Sequence, residues 1–338
     1  MKIDGLMFKY AAMLEQIDPD LADIWGNNHD HARKSKLDVT PDLVANFAAF
    51  EMGGLGFEFG NDFPDRKTIP DERPRPVLAD PDFDAAYGAR IQEILPRSIR
   101  HLSRFPFTDP IQVAELLRWD GIAGGRSVAV RLETGPVRVS HHTLRVAWRA
   151  YEMRAHHGAW PKSLLEIGGG HGRFVRDVAL CAPDATLYYS DLPFNLLVAA
   201  GYLARKFPGQ VNLIWTREDR FKPEARITLI APWRLGELPE NVEICCNFLS
   251  FQHMSAANLG YYSTILEDRK VGALFHMNRN KALHGGETDL DQAPFNRCFE
   301  PVFDKEISGF VRANRRGGPP DDTTAVSTRL QYLRRRSG

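Results

Sequence analysis

In the second half of the chain, short apolar runs alternate with segments of helical spacing. Leu164, Leu165 and Ile167 suit a buried strand over 163–167, and helical character resumes from Phe174 to Leu180. The pattern goes on to predict a strand over 186–190 (TLYYS), a helix over 193–206 and strands over 227–231 and 242–249. A helix over 256–268 and a strand over 272–278 follow, and residues 325–333 alternate as a last strand after a Gly- and Pro-rich turn at 315–322. Alternating strands and helices imply a parallel sheet, which binds ligands at the carboxyl ends of its strands.

Upstream the pattern is helical and interrupted. Residues 1–60 read as short helices, with Thr40 capping a helix that opens at Pro41 and with Leu43, Val44, Phe47 and Phe50 as an apolar stripe. Gly53, Gly54, Gly56 and Gly60 stop it, and Pro64, Pro70, Pro74, Pro76 and Pro81 mark an extended connector. Helices are expected over 82–102 and 111–119. A break falls at Gly135-Pro136, and a helix from His142 to His156 leads into the first strand. Two parts are thus expected: a helical and extended region over 1–135 that covers the substrate, and a cofactor-binding domain over 136–338.

The chemistry concentrates in Leu164 to Gly172, LLEIGGGHG, where a strand breaks into glycines. Glycines let the backbone turn tightly and approach a ligand more closely than a Cβ permits. The strand that follows ends in Asp191, about 20 residues after Gly172, the spacing at which a carboxylate accepts hydrogen bonds from ribose hydroxyls. A G-x-G-x-x-G turn opening at Gly168 would need glycine at 173, where the chain has Arg173, so a pyrophosphate-binding turn is disfavoured. With Glu166 ahead of it, the G-x-G-x-G segment resembles motif I of the class I S-adenosylmethionine-dependent methyltransferases, whose cofactor has no phosphate.

The runs EIGGGHGRF, SDLPFNLLVAAGYLARKFP and NFLSFQHMS (Asn247 to Ser255) together resemble the bacterial sugar O-methyltransferase family over about residues 125–280. That resemblance implies a Rossmann-like class I methyltransferase sheet, mostly parallel with one antiparallel strand near the C-terminus, behind a mainly helical N-terminal extension. It also implies S-adenosylmethionine as cofactor and a hydroxyl of a sugar or glycoconjugate intermediate as acceptor. His253 stands where a glutamate is expected in relatives. It is the expected general base, with Gln252 orienting the acceptor, because imidazole is largely neutral at pH 7.

The cofactor site is expected to comprise Glu166, Gly168, Gly169, Gly170, Gly172, Asp191, Leu192, Trp233 and Asn247, with Trp233 stacking on adenine. His171 in the glycine loop, and His276 and Asn278 at the end of the fifth strand, are expected to face the substrate. Each has a plainer reading. Glu166 could cap the sheet, Asp191 could be an ordinary loop acid and His171 a solvated loop residue. Trp233, Tyr261 and Tyr262 could be packing residues, and His253 could cap the next helix.

Composition narrows the class without choosing the reaction. With 338 residues, 43% of them hydrophobic, the chain can bury a substantial core. Lys plus Arg equals Asp plus Glu at 43 each, so no global field attracts nucleic acid or an anionic membrane, and the basic Arg334 to Arg336 reads as a solvated terminus. Cys181, Cys245, Cys246 and Cys298 lack C-x-x-C spacing and read as reduced core residues of a cytoplasmic protein. No apolar run approaches the roughly 20 residues that span a bilayer. Glu287, Asp289 and Asp291 after His284 are weak grounds for a metal site, and none is expected; that loop is a candidate lid. His29 with His31 and His141 with His142 lack further ligands at zinc spacing. The alternatives are N- or O-methylation of another small-molecule intermediate and a non-catalytic methyltransferase-like binding module. A homo-oligomer is compatible with all of them.

Overall fold

The computed structural model describes residues 2–16, 39–46, 50–51, 75–76, 81–122, 126–282, 288–314 and 323–336. Its first half contains α1 (Ile3–Glu15), α2 (Pro41–Ala45), the strand pair β1 (Phe50–Glu51) and β2 (Arg75–Pro76), α3 (Pro81–Ser103) and α4 (Pro110–Leu117). A hairpin of β3 (Val128–Leu132) and β4 (Gly135–Val139) then leads into α5 (His141–His157). The second half runs β5 (Ser163–Ile167), α6 (Arg173–Cys181), β6 (Thr186–Ser190), α7 (Pro193–Lys206), β7 (Val211–Ile214) and β8 (Ile227–Ile230). It closes with β9 (Ile244–Phe248), α8 (Ala256–Asp268), β10 (Ala273–Arg279), β11 (Phe299–Asn314) and β12 (Thr323–Arg335).

Eight strands form one sheet in the order β11-β12-β10-β9-β5-β6-β8-β7. From β10 to β7 every pairing is parallel, and β12 runs antiparallel between β10 and β11. This is a Rossmann-like sheet of the class I methyltransferase type, with its antiparallel strand at the C-terminal end. The apolar runs explain it: β8 and β9 are buried along their whole length, as strands covered by helices on both faces must be. Ser140 and Thr143 form a capping box at the start of α5, and Gly158, in the left-handed region at φ 94°, ends it.

The N-terminal region joins the sheet domain at two places. Leu6, Met13, Leu43 and Val44 are buried in the same core as Ala199, Ala200 and Leu203 of α7. As expected, Thr40 caps α2, accepting from the Leu43 N–H at 3.1 Å, with Pro41 opening the helix. At the second place Asp177 pairs with Arg173 at 3.0 Å and Arg176 at 2.7 Å, all three at most 2% exposed. The Arg176 guanidinium donates to the carbonyls of Glu115 at 2.9 Å and Leu116 at 3.3 Å, and Arg173 also donates to Leu116. Buried cations thus meet the carbonyl end of α4, where the helix dipole favours them.

Several expectations need correction. The break expected at Gly135-Pro136 is instead the start of β4, just after the Glu133-Thr134 turn of the β3–β4 hairpin, with Gly135 at φ 119°. Phe50 belongs to β1 and not to a helical stripe, because it pairs with Pro76. The short pair β1–β2, the β3–β4 hairpin, the edge strand β7 and β11, whose polar exposed positions hide its period, went unpredicted. Trp25, Phe47, His29, His31, His284, Glu287, Pro64, Pro70, Pro74, the four glycines from Gly53 to Gly60 and the 315–322 turn lie outside the described residues. Among the described residues no helix is long and apolar enough to cross a membrane.

Candidate functional site

The glycine loop sits where β5 ends. The Gly168 N–H donates to the Ser190 carbonyl at the end of β6 at 2.8 Å, and the chain passes Gly168, Gly170 and Gly172 at φ 71°, 67° and 81° before α6 begins. Side chains rarely adopt such values, so the sequence needs glycine at these turns. There is also no room for one. A Cβ on Gly168 would collide with Ser250, one on Gly169 with the Glu166 carboxyl group, and one on Gly172 would lie 2.9 Å from Leu203. Gly168, Gly169 and Gly170 remain half-exposed, leaving the loop's outer side open to a ligand.

Asp191 clasps this loop from β6. Its carboxylate accepts from the Gly170 N–H at 2.7 Å, the Tyr189 hydroxyl at 3.0 Å, the Leu192 N–H at 2.7 Å and the Asn195 amide at 2.8 Å. A carboxylate has about four acceptor positions. Protein donors therefore match its capacity, and a ribose diol would meet this group only in place of a donor; Tyr189 and Asn195 are both buried, and the Tyr189 hydroxyl also meets the Gly170 carbonyl. Leu192 caps α7 and packs into the core.

Glu166 lies beneath the loop and is 1% exposed. Burial, and then the charge of Asp191, push its carboxyl up to about 8, and its Oε2 has no hydrogen-bond partner. His171 is not solvated. It is 3% exposed, its ring 4.6 Å from that of His142 and 5.9 Å from that of Tyr202, and burial drives its titration down to about 3.

After β9 a polar network replaces the expected open substrate face. Asn247 is fully buried; its amide donates to the Ile167 carbonyl at 2.7 Å and its oxygen accepts from Phe251 N–H at 3.1 Å and the Asn278 amide at 3.0 Å. Asn278 in turn accepts from the Gln252 N–H at 3.3 Å. His276 is 4% exposed, and burial lowers its pKa to about 4. Asn247, Asn278 and His276 thus tie the strand ends together. The Gln252 oxygen accepts from Arg279 N–H at 2.8 Å, which turns the Gln252 amide nitrogen toward His253 Nε2 at 3.0 Å. His253 is half-buried on the short turn Phe251–His253. Trp233, also half-buried, packs against the core from the turn after β8.

Asp289 and Asp291 face Lys281, at 3.1 and 3.2 Å, and Asp289 also accepts from Ala282 N–H. Among the described residues no group of His, Cys, Asp or Glu could hold a metal.

A cavity of about 610 Å³ opens between α3, α5 and strands β10 to β12. Leu144, Trp148, Phe303 and Leu330 line it, and Leu249 and Met277 bring it to the carboxyl ends of β9 and β10. Leu249 immediately precedes Ser250, the residue packed against Gly168, so cavity and loop share a wall. Gln252, His253, His276 and Asn278 do not line it. Sequence reasoning missed Tyr189 and Asn195, although Asn195 stands four residues after Asp191 at the start of a helix, a spacing that brings side chains together. It also missed Ser250 and the whole cavity, which joins segments far apart in sequence.

No family model matches the chain, and no curated protein matches it. Among solved structures, EvdMO1 is 15% identical with a TM-score of 0.37, covering 67% of this chain and 47% of its own. The chain thus spans about half the length of that protein. Magnesium protoporphyrin IX methyltransferase (ChlM) from Synechocystis PCC 6803, solved with S-adenosylhomocysteine bound, is 12% identical with a TM-score of 0.37, covering 56% of this chain and 82% of its own. The methyltransferase domain of bacterial CtHen1-CN is 11% identical with a TM-score of 0.39, covering 56% of this chain and 98% of its own. The fold assignment rests on this chain's own strand order.

Proposed function

We propose that the protein is an S-adenosylmethionine-dependent O-methyltransferase acting on a hydroxyl of a sugar or glycoconjugate intermediate. One observation carries the reading: a loop of three glycines at positive φ, open on its outer side, held at the strand ends by Asp191. The sugar rests on the resemblance of the EIGGG, DLP and SFQ segments. Bound there, the cofactor would supply a methyl group on a sulfonium, open to in-line attack by oxygen.

The residues present fit that ligand. Glu166 Oε2, buried and without a hydrogen-bond partner, is the acceptor for an ammonium group at the loop, and the Asp191 cluster is the acceptor for ribose hydroxyls. Gly168 to Gly170 give the ligand access to the backbone. Trp233 flanks the strand ends where an adenine would lie. His253 takes the hydroxyl proton. The Gln252 amide marks the imidazole lone pair at Nε2, and the acceptor hydroxyl would take over that hydrogen bond. The Arg279 backbone N–H in turn fixes the Gln252 side chain by donating to its oxygen.

Thermal unfolding with ligands tests the reading. S-adenosylhomocysteine should stabilise the protein by about 2.7 kcal/mol at 100 times its dissociation constant, and NAD should not. Asp191→Ala releases Gly170 and should weaken that binding. Unchanged affinity would remove Asp191 from the site, whereas binding without transfer from labelled S-adenosylmethionine to sugars would favour a non-catalytic module.

A further inference from the structure

The cavity beside the glycine loop is cationic, although the chain as a whole carries no net charge. Arg90, Arg97, Arg104, Arg149 and Lys305 line it against a single carboxylate, Glu152. That carboxylate is already engaged. Arg104 pairs with it, His101 lies 3.1 Å from it and His156 3.6 Å. Arg90 has its own partner in Glu93 at 2.7 Å. Among the described residues no carboxylate pairs with Arg97 or Lys305, while the acid next to Lys305 in sequence, Asp304, is held by Arg329 at 2.9 Å. Two solvent-exposed cations from different elements, α3 and β11, therefore line one cavity with no counter-ion among the described residues.

We infer that this cavity binds the acceptor through an anionic group, a phosphate or a carboxylate carried on the sugar or its leaving group. The inference deepens the proposed function and rests on it for the identity of the acceptor. Three features point the same way. Unpaired cations around a partly enclosed groove focus positive potential on its interior and attract an anion to it. Guanidinium groups hold phosphate and carboxylate oxygens in bidentate pairs. Leu144, Trp148 and Leu330 add an apolar wall for the ligand's uncharged body, and the end of the cavity at Leu249 meets the loop through Ser250. An acceptor anchored by its anion at Arg97 and Lys305 thus extends its uncharged part toward the loop.

The test measures binding of glucose, glucose 1-phosphate and glucuronic acid by calorimetry at low salt, with S-adenosylhomocysteine binding as a separate folding control. One or both anionic sugars should bind at least about tenfold more tightly than glucose, and which one does so names the group. Replacing both Arg97→Gln and Lys305→Gln should cost about tenfold or more in that affinity, since hydrogen bonds to charged groups are worth that much. The swap of Arg97→Lys with Lys305→Arg, which keeps both charges, should retain most of it. Anionic sugars that bind no better than glucose, or that bind the double Gln variant as well as the parent, overturn the inference. Failure of S-adenosylhomocysteine to bind any of these proteins would instead count against the cofactor reading.

Discussion

At the scale of single residues, burial separates groups that resemble each other in sequence. Glu166 and Asp191 both end strands at the loop, yet four donors hold the Asp191 carboxylate and burial neutralises Glu166. The pKa of Glu166 rises from 4.5 to about 8 on folding. Between those values the native state holds a proton that the unfolded chain has released, so stability falls as pH rises from about 4.5 to 8, by up to roughly 1.4 kcal/mol per pH unit. Below 4.5 both states are protonated and the effect vanishes. Glu166→Gln should flatten that decline, and the difference between parent and variant in denaturant unfolding across pH 5 to 8 checks it; parallel curves would show Glu166 to be ionised in the fold. His253 carries the second prediction. His253→Ala should lower kcat at least about tenfold, the lower range of general-base assistance, while S-adenosylhomocysteine binding stays nearly intact. His253→Glu should recover part of the rate. Near-normal turnover in His253→Ala would move the base into the cavity, to His101 beside Glu152.

At the scale of elements, the N-terminal helices do two jobs. α1 and α2 lie against α7, and α3 lines the cavity. Among the described N-terminal helices, α3 alone therefore suits the expected role of substrate cover. Gly201 of α7 faces α2 so closely that a Cβ there would lie 2.8 Å from Val44 Cγ1 and 3.4 Å from its carbonyl oxygen. Alanine at 201 would gain about 1 kcal/mol in helix propensity, against an overpacking cost of about 1 to 3 kcal/mol, so its net effect is small or mildly destabilising. Valine loses on both counts. Gly201→Val should lower the melting temperature by several degrees more than Gly201→Ala, and equal melting points would show that α2 yields without cost. The alternating apolar runs announced β5, β6, β8, β9 and their helices because buried parallel strands need near-continuous apolar stretches. They did not announce β11 or the β3–β4 hairpin, where side chains are partly solvated and the period is weak, nor β7, whose four residues are interrupted by the buried polar Asn212.

At the scale of the whole molecule, two arrangements place the candidate chemistry. The sheet order brings the ends of β5, β6, β9 and β10 together, so that Ser250 meets Gly168 and Asn247 reaches Ile167. The buried cluster of Arg173, Arg176 and Asp177 then fixes α4 on α6. Breaking one partner of such a buried set is costly because it strands the other charges. The cavity is a product of the same assembly: α3 and β11 contribute to it from opposite ends of the chain.

The sequence by itself determined what depends on neighbours along the chain. The glycine loop, the acid after the second strand and the alternation of buried strands with helices follow from local backbone freedom, spacing and burial period, and all stand where they were expected. Only the tertiary structure decided which polar residues reach solvent. His171, His276, Asn247 and Asn278 look like free ligands in a one-dimensional reading, but packing buries them and supplies their partners. Arg97 and Lys305 look like ordinary surface charges until folding lines one cavity with both. Charge density in a cavity depends on distances between residues remote in sequence, and spacing along the chain does not encode it.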